Sequence, residues 1–448
     1  MCSRIEVPPF LKKIASSSDC PIYIVGGYIR NSLLSLPKSD IDICGSLLPH
    51  ELNIDATVIP VNKRLGTALI TDGVECYEYT PLRKESYGEG GKHTPSEVTF
   101  GVSILEDARR RDFTAGSVYY DIKNDEFIDP YSGIEDIRSK VLRSEDPYFT
   151  LSDDGLRLMR LARIAAETGF DIDDRTFEAA IKCRDRLKDI SPERKRQELD
   201  KILVADTKYG VKDAHYRGVE LLKQLQLWEF IIPEVADMDG VEQNPKYHKY
   251  DCLEHSLMAV RYAPPSVRLA ALLHDIGKPV CQKKDGNTYA HAEVGTKMVK
   301  KVLGQDGLKY SNDVTNTVSE LVRLHMYDMS GLTKLNKLKI FIAENFEYIP
   351  DLVELILADG KATGKHEITL PHRFTTVYEM LIEQNAPIKI TDLAIDGSVV
   401  AQAGFRGKQI SQELYALWRE CVIDPSLNTS DILKEKIARK SKRAKVYY

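Results

Sequence analysis

The spacing of apolar and polar positions divides the chain into two parts. Up to about residue 143, short apolar runs alternate with turn residues, whereas from about residue 150 onward the pattern is mostly helical. The run Ile22–Val25 predicts a short buried strand. A second strand is predicted at Asp40 and Asp42, which alternate with isoleucines and would place both carboxylates on one face. The pattern predicts an α+β fold, in which a small mixed-sheet head precedes a largely α-helical remainder.

Two adjacent glycines follow the first predicted strand. Gly26 and Gly27 would let the backbone approach a phosphate, and a following helix would offer the free N–H groups of its first turn. The carboxylates of Asp40 and Asp42 could hold a pair of Mg²⁺ ions for phosphoryl transfer. Each motif alone is weak, because glycine pairs mostly form turns and D-x-D mostly occurs in solvated loops. Their combination within about two dozen residues predicts a nucleotidyl-transfer site.

Composition narrows the class of protein without identifying a partner. The 448 residues suffice for about two to four domains, and 43% hydrophobic with 29% charged residues is typical of a globular protein. No apolar run has the length of a membrane span, and the eight cysteines form no C-x-x-C pair. We therefore expect a cytoplasmic protein with reduced thiols and no membrane partner. The net charge of −5 gives no sign of nucleic-acid binding.

A third carboxylate lies in a strand-like run. Glu78, within Tyr77–Arg83, could bind a metal or act as a general base near the aspartates. Glu75 competes for that role, and an ordinary surface glutamate is the alternative explanation. The segment Arg83–Phe100 that follows is rich in Gly, Lys and Ser, and is therefore predicted to be a mobile loop.

Two groups of arginines are candidates for nucleotide binding. Arg110, Arg111 and Asp112 supply two cationic groups and an acceptor, which suit a triphosphate and ribose hydroxyls. The alternative is a cluster of surface ion pairs. Arg160 and Arg163 belong to the second group, which lies on a predicted helix.

The predicted helix begins at Ser152 as its N-cap and carries Asp154, Arg157 and Arg160 on one face. An acceptor beside a donor pairs with cytosine and adenine, which both present an amine next to a ring-nitrogen acceptor. Uracil and guanine would meet opposed dipoles and be rejected. The pair Asp154 and Arg157 is therefore a candidate for base selection, and an i,i+3 ion pair at a helix start is the alternative.

Together these motifs resemble the class II tRNA nucleotidyltransferases, which are the bacterial CCA-adding enzymes and their poly(A) polymerase relatives. The resemblance covers nearly the whole chain, and its motifs match Gly26–Arg30, Asp40 with Asp42, Glu78–Arg83, Arg110–Thr114, Asp129–Gly133, Asp153–Arg157, Glu193–Glu198, Gln243–His248 and Asp392–Gly407. It implies that Arg30 also binds nucleotide. Three positions depart from the family pattern, with Asn31 in place of Asp, Asp153 in place of Glu and Gly116 in place of Asn.

The helical part contains a second candidate metal site. Its residues are His255, His274, Asp275 and Asp359, and their order and flanks resemble the HD phosphohydrolase domain. His291 and His325 add imidazoles in the order that two-metal HD sites use. Imidazole with carboxylate suits a transition metal such as Mn²⁺, Ni²⁺, Co²⁺ or Fe²⁺. In the resembled family, such a domain is linked to 2′,3′-cyclic phosphodiesterase and phosphatase activity on RNA ends.

Five domains are predicted along the chain. They are a nucleotidyltransferase head (1–143), a helical neck with the base-selecting helix (144–204), a helical linker (205–247), an HD metal domain (248–362) and a helical tRNA-binding tail (363–448).

The predicted function is untemplated addition of C, C and A to the 3′ end of tRNA from CTP and ATP, with Asp40 and Asp42 holding two Mg²⁺ ions. Two alternatives stay open. The first is a narrower transferase that adds CC, A or poly(A). The second is a metal phosphohydrolase whose head only binds RNA.

Overall fold

The computed structural model describes residues 5–37, 39–88, 95–246, 248–363 and 370–444. The chain forms two compact units. The first comprises the described residues up to Asp237 together with Val302–Tyr310, and the second comprises Met238–Lys301 with the described residues from Ser311 onward. No helix in the described ranges is long and apolar enough to cross a membrane. The five-domain division stays a prediction.

The first unit is built around a seven-stranded mixed sheet. The strands of this unit are β1 (Ile22–Val25), β2 (Asp42–Gly45), β3 (Thr57–Asn62), β4 (Thr67–Thr71), β5 (Cys76–Pro81), β6 (Arg83–Ser86), β7 (Glu97–Phe100), β8 (Tyr119–Asp121), β9 (Glu126–Ile128), β10 (Val141–Leu142) and β11 (Asp171–Ile172). The sheet order is β3-β4-β5-β2-β1-β8-β9. The strand predicted at Ile22–Val25 is confirmed to the residue.

The register of the central strands brings the acidic residues together. β1 pairs antiparallel with β2 so that Val25 faces Asp42, and β2 pairs parallel with β5 so that Asp42 faces Glu78. Val25 is buried in a cluster with Cys44 and Tyr119. The opposite face of these two strands is buried as well, at Ile24 and Ile43, so both strands are enclosed in the core. The carboxylates therefore lie where the buried part of each strand ends.

The segment Arg83–Phe100 is a ribbon over much of its length. β6 and β7 pair antiparallel with Arg83 opposite Phe100 and Ser86 opposite Glu97. The prediction of a loop was therefore wrong for both arms, whose strand pairing is not visible in the local composition. The residues between them, 89–94, lie outside the described ranges.

Helices cover the sheet and form the rest of the first unit. They are α1 (Pro9–Ser17), α2 (Gly27–Leu34), α3 (Ile104–Arg109), α4 (Gly133–Ser139), α5 (Pro147–Asp153), α6 (Leu156–Thr168), α7 (Asp174–Cys183), α8 (Pro192–Leu203), α9 (Ala205–Tyr209), α10 (Ala214–Gln224), α11 (Trp228–Ile231) and α12 (Pro233–Ala236). α6 packs against α8, α9 and α10.

The predicted helix start at Ser152 is wrong. α5 begins earlier, because the Asp146 side chain accepts a hydrogen bond from the Phe149 N–H at 3.3 Å and Pro147 occupies the first turn. Ser152 lies in the last turn of α5, and α6 begins after Gly155. A Cβ at Gly155 would lie 2.3 Å from the Arg186 carbonyl oxygen. The break between the helices therefore lets the start of α6 approach this backbone closely.

All regular secondary structure among the described residues of the second unit is helical. Its helices are α13 (Cys252–Tyr262), α14 (Arg268–Leu273), α15 (Lys278–Asp285), α16 (His291–Leu303), α17 (Asn312–Leu324), α18 (Leu335–Glu344), α19 (Ile349–Ala362), α20 (Leu370–Glu383), α21 (Gly397–Gln402), α22 (Lys408–Ile423) and α23 (Ser430–Ala444), of which α16 ends in the first unit. α13 packs against α14 and α19, and α18 packs against α20 and α22. The prediction of an α+β fold with a mixed-sheet head and a helical remainder is confirmed.

The close approach at Gly155 gives a stability prediction. Gly155→Ala should lower the thermal unfolding midpoint of the first unit by about 5 °C, because a backbone carbonyl cannot move aside as a flexible side chain would. The matched control is Gly360→Ala in α19, where a Cβ meets nothing within 4 Å and no loss is expected. Calorimetry that finds equal midpoints for both variants would show that α6 can shift freely.

Candidate functional site

A cavity of about 360 Å³ in the first unit collects most of the predicted nucleotide-binding residues. Its lining includes Gly26, Gly27, Arg30, Asp42, Arg110, Arg111, Asp112, Asp154, Arg157 and Arg160. Three predicted residues are not in its lining, namely Asp40, Glu78 and Arg163. The cavity also includes side chains from the ribbon, Arg83, Glu85 and Tyr87, which sequence analysis did not select.

One end of the cavity is formed by the glycine pair. Gly26 has a φ of 87°, a backbone conformation that side chains rarely adopt, and α2 begins at Gly27. A Cβ at Gly26 would lie 3.5 Å from Asp42 Oδ2, so a larger residue would crowd the space beside the carboxylate. The predicted order of strand, glycine pair and helix is present.

Asn31, which stands where the resembled family has Asp, has a structural role. Its side chain is fully buried, and its Oδ1 accepts hydrogen bonds from Arg30 Nε at 3.1 Å and Nη2 at 2.9 Å. Its Nδ2 donates to the Pro37 carbonyl at 3.1 Å. Asn31 therefore holds the Arg30 guanidinium at the cavity.

The acidic residues form a loose group beside the glycines. Asp42 starts β2, whereas Asp40 precedes the strand, so the prediction that both lie on one strand is wrong. The pKa of Asp42 is raised to about 6, because the surroundings partly desolvate the carboxylate and the charges of Glu78 and Asp40 lie nearby. Mutual repulsion of carboxylates is the electrostatic environment that a divalent cation relieves. The donor set therefore fits a metal such as Mg²⁺.

A buried carboxylate that sequence analysis missed holds the two arginines. Asp107 is completely buried and accepts hydrogen bonds from Arg110 Nε at 2.9 Å, Arg111 Nε at 3.1 Å and the Tyr119 hydroxyl at 2.6 Å. Burial alone would raise the pKa of Asp107, but Arg111 and Arg110 lower it to about 2. The arginine group is therefore anchored from inside the fold, which is unlike a cluster of surface ion pairs.

Asp112 ties the second arginine group to the first. Its Oδ1 lies 3.0 Å from Arg157 Nε, and its Oδ2 is paired with Arg160. Burial opposes ionisation, yet the charges of Arg160 and Arg157 lower the pKa of Asp112 to about 2. Arg157 also donates from Nη1 to the Thr150 carbonyl at 2.8 Å and from Nη2 to the Arg110 carbonyl at 2.7 Å. These contacts fix the orientation of its guanidinium.

The predicted pair of Asp154 and Arg157 is close but differs from the predicted geometry. Asp154 precedes α6, and its Oδ1 accepts a hydrogen bond from the Leu156 N–H at 2.9 Å. Its Oδ2 lies 4.0 Å from Arg157 Nε. Arg163 instead binds Glu198 at 2.6 Å and Glu167 at 3.0 Å. This buried group connects α6 to α8, so a nucleotide-binding role for Arg163 stays a prediction.

The second unit brings all six predicted metal-binding residues together. They form two groups of three ligand atoms within 4.8 Å of one another, His255 with His274 and Asp359, and Asp275 with His291 and His325. Asp275 connects the groups, because its Oδ2 lies 3.3 Å from His274 Nε2 and its Oδ1 lies 3.3 Å from His291 Nε2.

The outer hydrogen bonds leave the Nε2 atoms directed at the centre. Three imidazoles have Nδ1 in contact with the carbonyl three residues earlier: His274 at 2.8 Å, His291 at 2.6 Å and His325 at 2.7 Å. An Nδ1–H that donates to a carbonyl leaves the Nε2 lone pair free for a metal. Two bridged sets of imidazole and carboxylate donors therefore fit two transition-metal ions.

Three further residues lie at this centre and were not selected from the sequence as ligands or contacts. Lys278 Nζ lies 2.6 Å from Asp275 Oδ2 and donates to Gln243 Oε1 at 2.6 Å. The His248 ring lies against His255, with centroids 4.8 Å apart. Two features of the sequence could have indicated these residues. Lys278 follows Asp275 at the spacing of one helical turn, and Gln243 and His248 lie in a segment that was identified only by resemblance.

Comparison with known proteins identifies the domains in which the two candidate sites lie. The model of the poly A polymerase head domain matches residues 22–143, that of the "Probable RNA and SrmB- binding site of polymerase A" matches 169–238, and that of the HD domain matches 252–358. The multifunctional CCA protein of Shewanella frigidimarina is 29% identical over 88% of this chain and 94% of its own length. The chain belongs to the class II family of CCA-adding enzymes and bacterial poly(A) polymerases, and it carries an HD domain.

Other relatives match only part of the chain or only its fold. The CCA-adding enzyme of Streptococcus suis is 37% identical over 45% of this chain, and the match spans 50% of that relative. The CCA-adding enzyme of Bacillus stearothermophilus, solved with CTP, has a TM-score of 0.68 at 21% identity and covers 99% of this chain and 100% of that one. The Thermotoga maritima enzyme complexed with tRNA has a TM-score of 0.59 at 18% identity, over 97% and 96% of the two chains. The structural likenesses establish the fold of this class II chain.

The raised pKa of Asp42 gives a prediction about pH and metal. In EDTA, protonation of Asp42 stabilises the fold, so wild type should lose stability relative to Asp42→Asn as the pH rises from about 4 to about 6, through the folded pKa. Added Mg²⁺ should reverse this loss in wild type at pH 7 and leave the variant unchanged. Thermal unfolding of both proteins between pH 4 and 7 checks it. A midpoint difference that is constant with pH would contradict the raised pKa of Asp42.

Proposed function

We propose that the first unit adds C, C and A to the 3′ end of tRNA from CTP and ATP and releases pyrophosphate. The observation that carries this proposal is the single cavity that holds Asp42, the glycine pair, anchored arginines and the Asp154–Arg157 pair. The names of the relatives support it, since they are CCA-adding enzymes from Streptococcus suis and Bacillus stearothermophilus, the latter solved with CTP. The Thermotoga maritima relative complexed with tRNA supports the choice of acceptor.

The triphosphate binds among the arginines in this proposal. Arg110 and Arg111 are oriented by the buried carboxylate of Asp107, so their positive charges are held in position before the substrate arrives. Preorganised charge stabilises the growing charge of a leaving pyrophosphate without reorganisation. The positive-φ backbone at Gly26 leaves room for a phosphate beside α2. Arg30, held by Asn31, completes the cationic wall.

Asp40 and Asp42 would hold divalent cations, and Glu78 is the neighbouring carboxylate that could accept a proton or share a metal. Bound Mg²⁺ supplies Lewis-acid charge for activation of the RNA 3′-hydroxyl and for stabilisation of pyrophosphate. The carboxylates themselves contribute a site whose electrostatic repulsion in the absence of cations favours metal binding. They also distinguish this head from one that only binds RNA, which has no need of such a group.

Base selection is assigned to Asp154 and Arg157. The acceptor of Asp154 would take the exocyclic amine of cytosine or adenine, and Arg157 would donate to the neighbouring ring acceptor. Because Asp112 and two carbonyls fix the Arg157 guanidinium, a base that presents the opposite polarity would leave buried groups unpaired. The ribbon that carries Tyr87 is retained in this chain, which favours full CCA addition over CC addition alone.

A second activity is proposed for the HD domain. Two three-ligand groups bridged by Asp275 support hydrolysis of a phosphodiester or phosphomonoester at an RNA end. Mn²⁺, Ni²⁺, Co²⁺ and Fe²⁺ are the candidate ions, because each suits imidazole with carboxylate. The name of the Shewanella frigidimarina relative, a multifunctional CCA protein, supports more than one activity.

The two activities should separate by mutation. Asp42→Ala should lower nucleotide addition about 100-fold or more and spare phosphohydrolysis, because it removes a metal-binding carboxylate of the head. His274→Ala should do the reverse. The assay combines tRNA transcripts that end before, within and after CCA with each NTP, alongside hydrolysis of a cyclic phosphate with Mn²⁺. Loss of both activities in a folded variant would contradict independent sites, and normal CTP addition by Asp42→Ala would exclude its metal role.

The preference for particular nucleotide bases gives a more specific test of the site in the head. Asp154→Ala should reduce the preference for CTP and ATP over UTP and GTP about tenfold, because one charge-assisted hydrogen bond to the base amine is lost. Activity should persist, since the arginines and Asp42 are untouched. Steady-state kinetics with the four NTPs on one tRNA check this, and Asp153→Ala serves as the neighbouring control. An unchanged preference in Asp154→Ala would show that the base is selected elsewhere.

A further inference from the structure

One arginine in the cavity of the first unit differs from the others in how its charge is balanced. Among the described lining residues, five arginines form an ion pair with a carboxylate, namely Arg83, Arg110, Arg111, Arg157 and Arg160. The remaining one, Arg30, forms no ion pair with any described carboxylate, and its hydrogen bonds go to uncharged groups. The cavity therefore contains one guanidinium whose positive charge no described carboxylate compensates directly.

Two uncharged side chains hold Arg30 in position. Asn31 Oδ1 accepts hydrogen bonds from its Nε at 3.1 Å and its Nη2 at 2.9 Å. The Tyr209 hydroxyl, at the end of α9, accepts from Nη2 at 3.2 Å, and the guanidinium carbon lies 5.8 Å from the centroid of the Tyr209 ring. Nη1 takes part in none of these hydrogen bonds to described residues, so its N–H donors can serve a ligand.

The charge of Arg30 is also largely removed from water. Arg30 is only 8% exposed, and burial lowers its pKa. The charge of Glu167 acts on Arg30 from farther away, but this carboxylate is bonded to Arg163 and Lys208. A buried guanidinium without an opposite charge is unfavourable. An anion that enters the cavity would therefore relieve a cost that is present before it binds.

Asn31 preserves this imbalance of charge. Its side chain is fully buried, and its Nδ2 donates to the Pro37 carbonyl at 3.1 Å, which turns Oδ1 toward Arg30. A carboxylate of the same shape would accept the same two bonds from the guanidinium but would also neutralise it. The amide thus orients the arginine and leaves its charge for a ligand.

The glycine pair lies beside both Arg30 and Asp42. A Cβ at Gly27 would lie 3.6 Å from Arg30 Nη2, and a Cβ at Gly26 would lie 3.5 Å from Asp42 Oδ2. A polyphosphate against this backbone would therefore contact the arginine and reach the carboxylate that is assigned to a metal.

We propose that Asn31 sets the affinity of the head for polyphosphate. It positions Arg30 without neutralising it, so the pyrophosphate part of a nucleotide supplies the missing negative charge. Asn31 is outside the cavity lining and acts through Arg30, which makes it a positioning residue. The inference rests on the proposed nucleotide addition and names a residue that controls its substrate affinity.

Binding of inorganic pyrophosphate tests this assignment without nucleotide addition. Calorimetric titration in the presence of Mg²⁺ compares wild type with Asn31→Asp and Asn345→Asp. Asn31→Asp should weaken binding about tenfold, because the new carboxylate compensates Arg30 in place of the ligand. Asn345→Asp should bind like wild type. Equal affinity in wild type and Asn31→Asp would overturn the proposal.

Asn345→Asp is a matched control from the second unit. Like Asn31, Asn345 is buried, accepts a hydrogen bond from an arginine, Arg323 Nη2 at 3.0 Å, and donates from Nδ2 to a carbonyl, that of Phe341 at 2.8 Å. Arg323 is already paired with Glu320 at 2.7 Å. Both substitutions lose the same kind of donor, but only the substitution at Asn31 gives a carboxylate to an arginine that had none.

Asn31→Ala separates charge from orientation. It removes the contacts with Arg30 but keeps the uncompensated charge, so it should weaken pyrophosphate binding less than Asn31→Asp. A purely structural role for Asn31 predicts the opposite order, and that order would overturn the proposal. Circular dichroism checks that both variants are folded.

Thermal unfolding in anion-free buffer gives a readout that does not depend on variants of Asn31. Arg83 is as buried as Arg30 but pairs with Glu85 at 2.7 Å. Arg83→Gln should lower the unfolding midpoint by about 5 °C, because it leaves Glu85 without this partner. Arg30→Gln should not lower the midpoint, since it removes an uncompensated charge. An equal loss in both variants would contradict the assigned imbalance.

Nucleotide and RNA arms identify the anion that compensates Arg30. Asn31→Asp should raise the KM for CTP about tenfold and change kcat less, because the lost interaction is one of binding. Its affinity for CMP and for a tRNA that ends before CCA should equal that of wild type. A loss of affinity confined to the tRNA would assign Arg30 to an RNA phosphate and overturn the proposal.

The same measurements distinguish failure of this inference from failure of the proposed function. Pyrophosphate binding that depends on Asn31, in a protein that adds no nucleotide to any tRNA, would uphold the inference and reject the function. Nucleotide addition with an equal KM for CTP in wild type and Asn31→Asp would uphold the function and reject the inference.

Discussion

The candidate transferase site depends on charge pairing between arginines and buried carboxylates. Arginines that converge on one cavity repel each other, and burial removes the water that would screen them. Asp107, with no exposed surface, and Asp112 each compensate two of these guanidinium groups. Removing one partner of such a pair leaves an uncompensated buried charge, which costs far more than the pair contributes. The fold therefore has to place these carboxylates before the arginines can face a substrate.

The candidate sites of the two units use different nitrogen groups. The head presents guanidinium groups, which always carry a charge and offer several N–H donors to phosphate oxygens. The HD centre presents three imidazoles, of His274, His291 and His325, whose Nδ1 atoms contact backbone carbonyls, which leaves their Nε2 atoms available for an ion. The first arrangement suits direct contact with a highly charged ligand. The second arrangement suits metal ions.

The sequence predicted most accurately those elements and residues that their immediate neighbours in the chain are enough to identify. The strand Ile22–Val25 was predicted to the residue, because an apolar run ends at two glycines. Four HD residues were selected by their order and flanks and two histidines by their order alone, and the structure brings all six together. The start of α6 was misplaced, because Asp146 and Pro147 begin a separate helix, α5, which ends just before Asp154. Asp40 was assigned to a strand that starts two residues later.

Non-local contacts account for what the sequence did not reveal. Pairing of β6 with β7 joins residues on either side of a Gly-rich segment, so composition alone suggested a loop. Asp107 resembled an ordinary acidic residue in the first turn of a helix, and only the fold brings the Arg83 N–H and the Tyr119 hydroxyl to it. Asp107 anchors the arginines because it is buried, and its burial cannot be deduced from a single sequence.

In the proposed function Arg157 acts in place of a template base, and its contacts supply the rigidity that such a role needs. A guanidinium has five N–H donors. Two groups of Arg157 donate to the Thr150 and Arg110 carbonyls, and Asp112 Oδ1 forms an ion pair with Nε at 3.0 Å. These contacts come from two segments of the chain and hold the plane of the guanidinium at the cavity, which Arg157 lines. A template needs this rigidity, because a side chain free to rotate would adapt to either polarity of a base edge and lose its selectivity. The network around Asp112 is therefore as much a part of base selection as the pair that would touch the base.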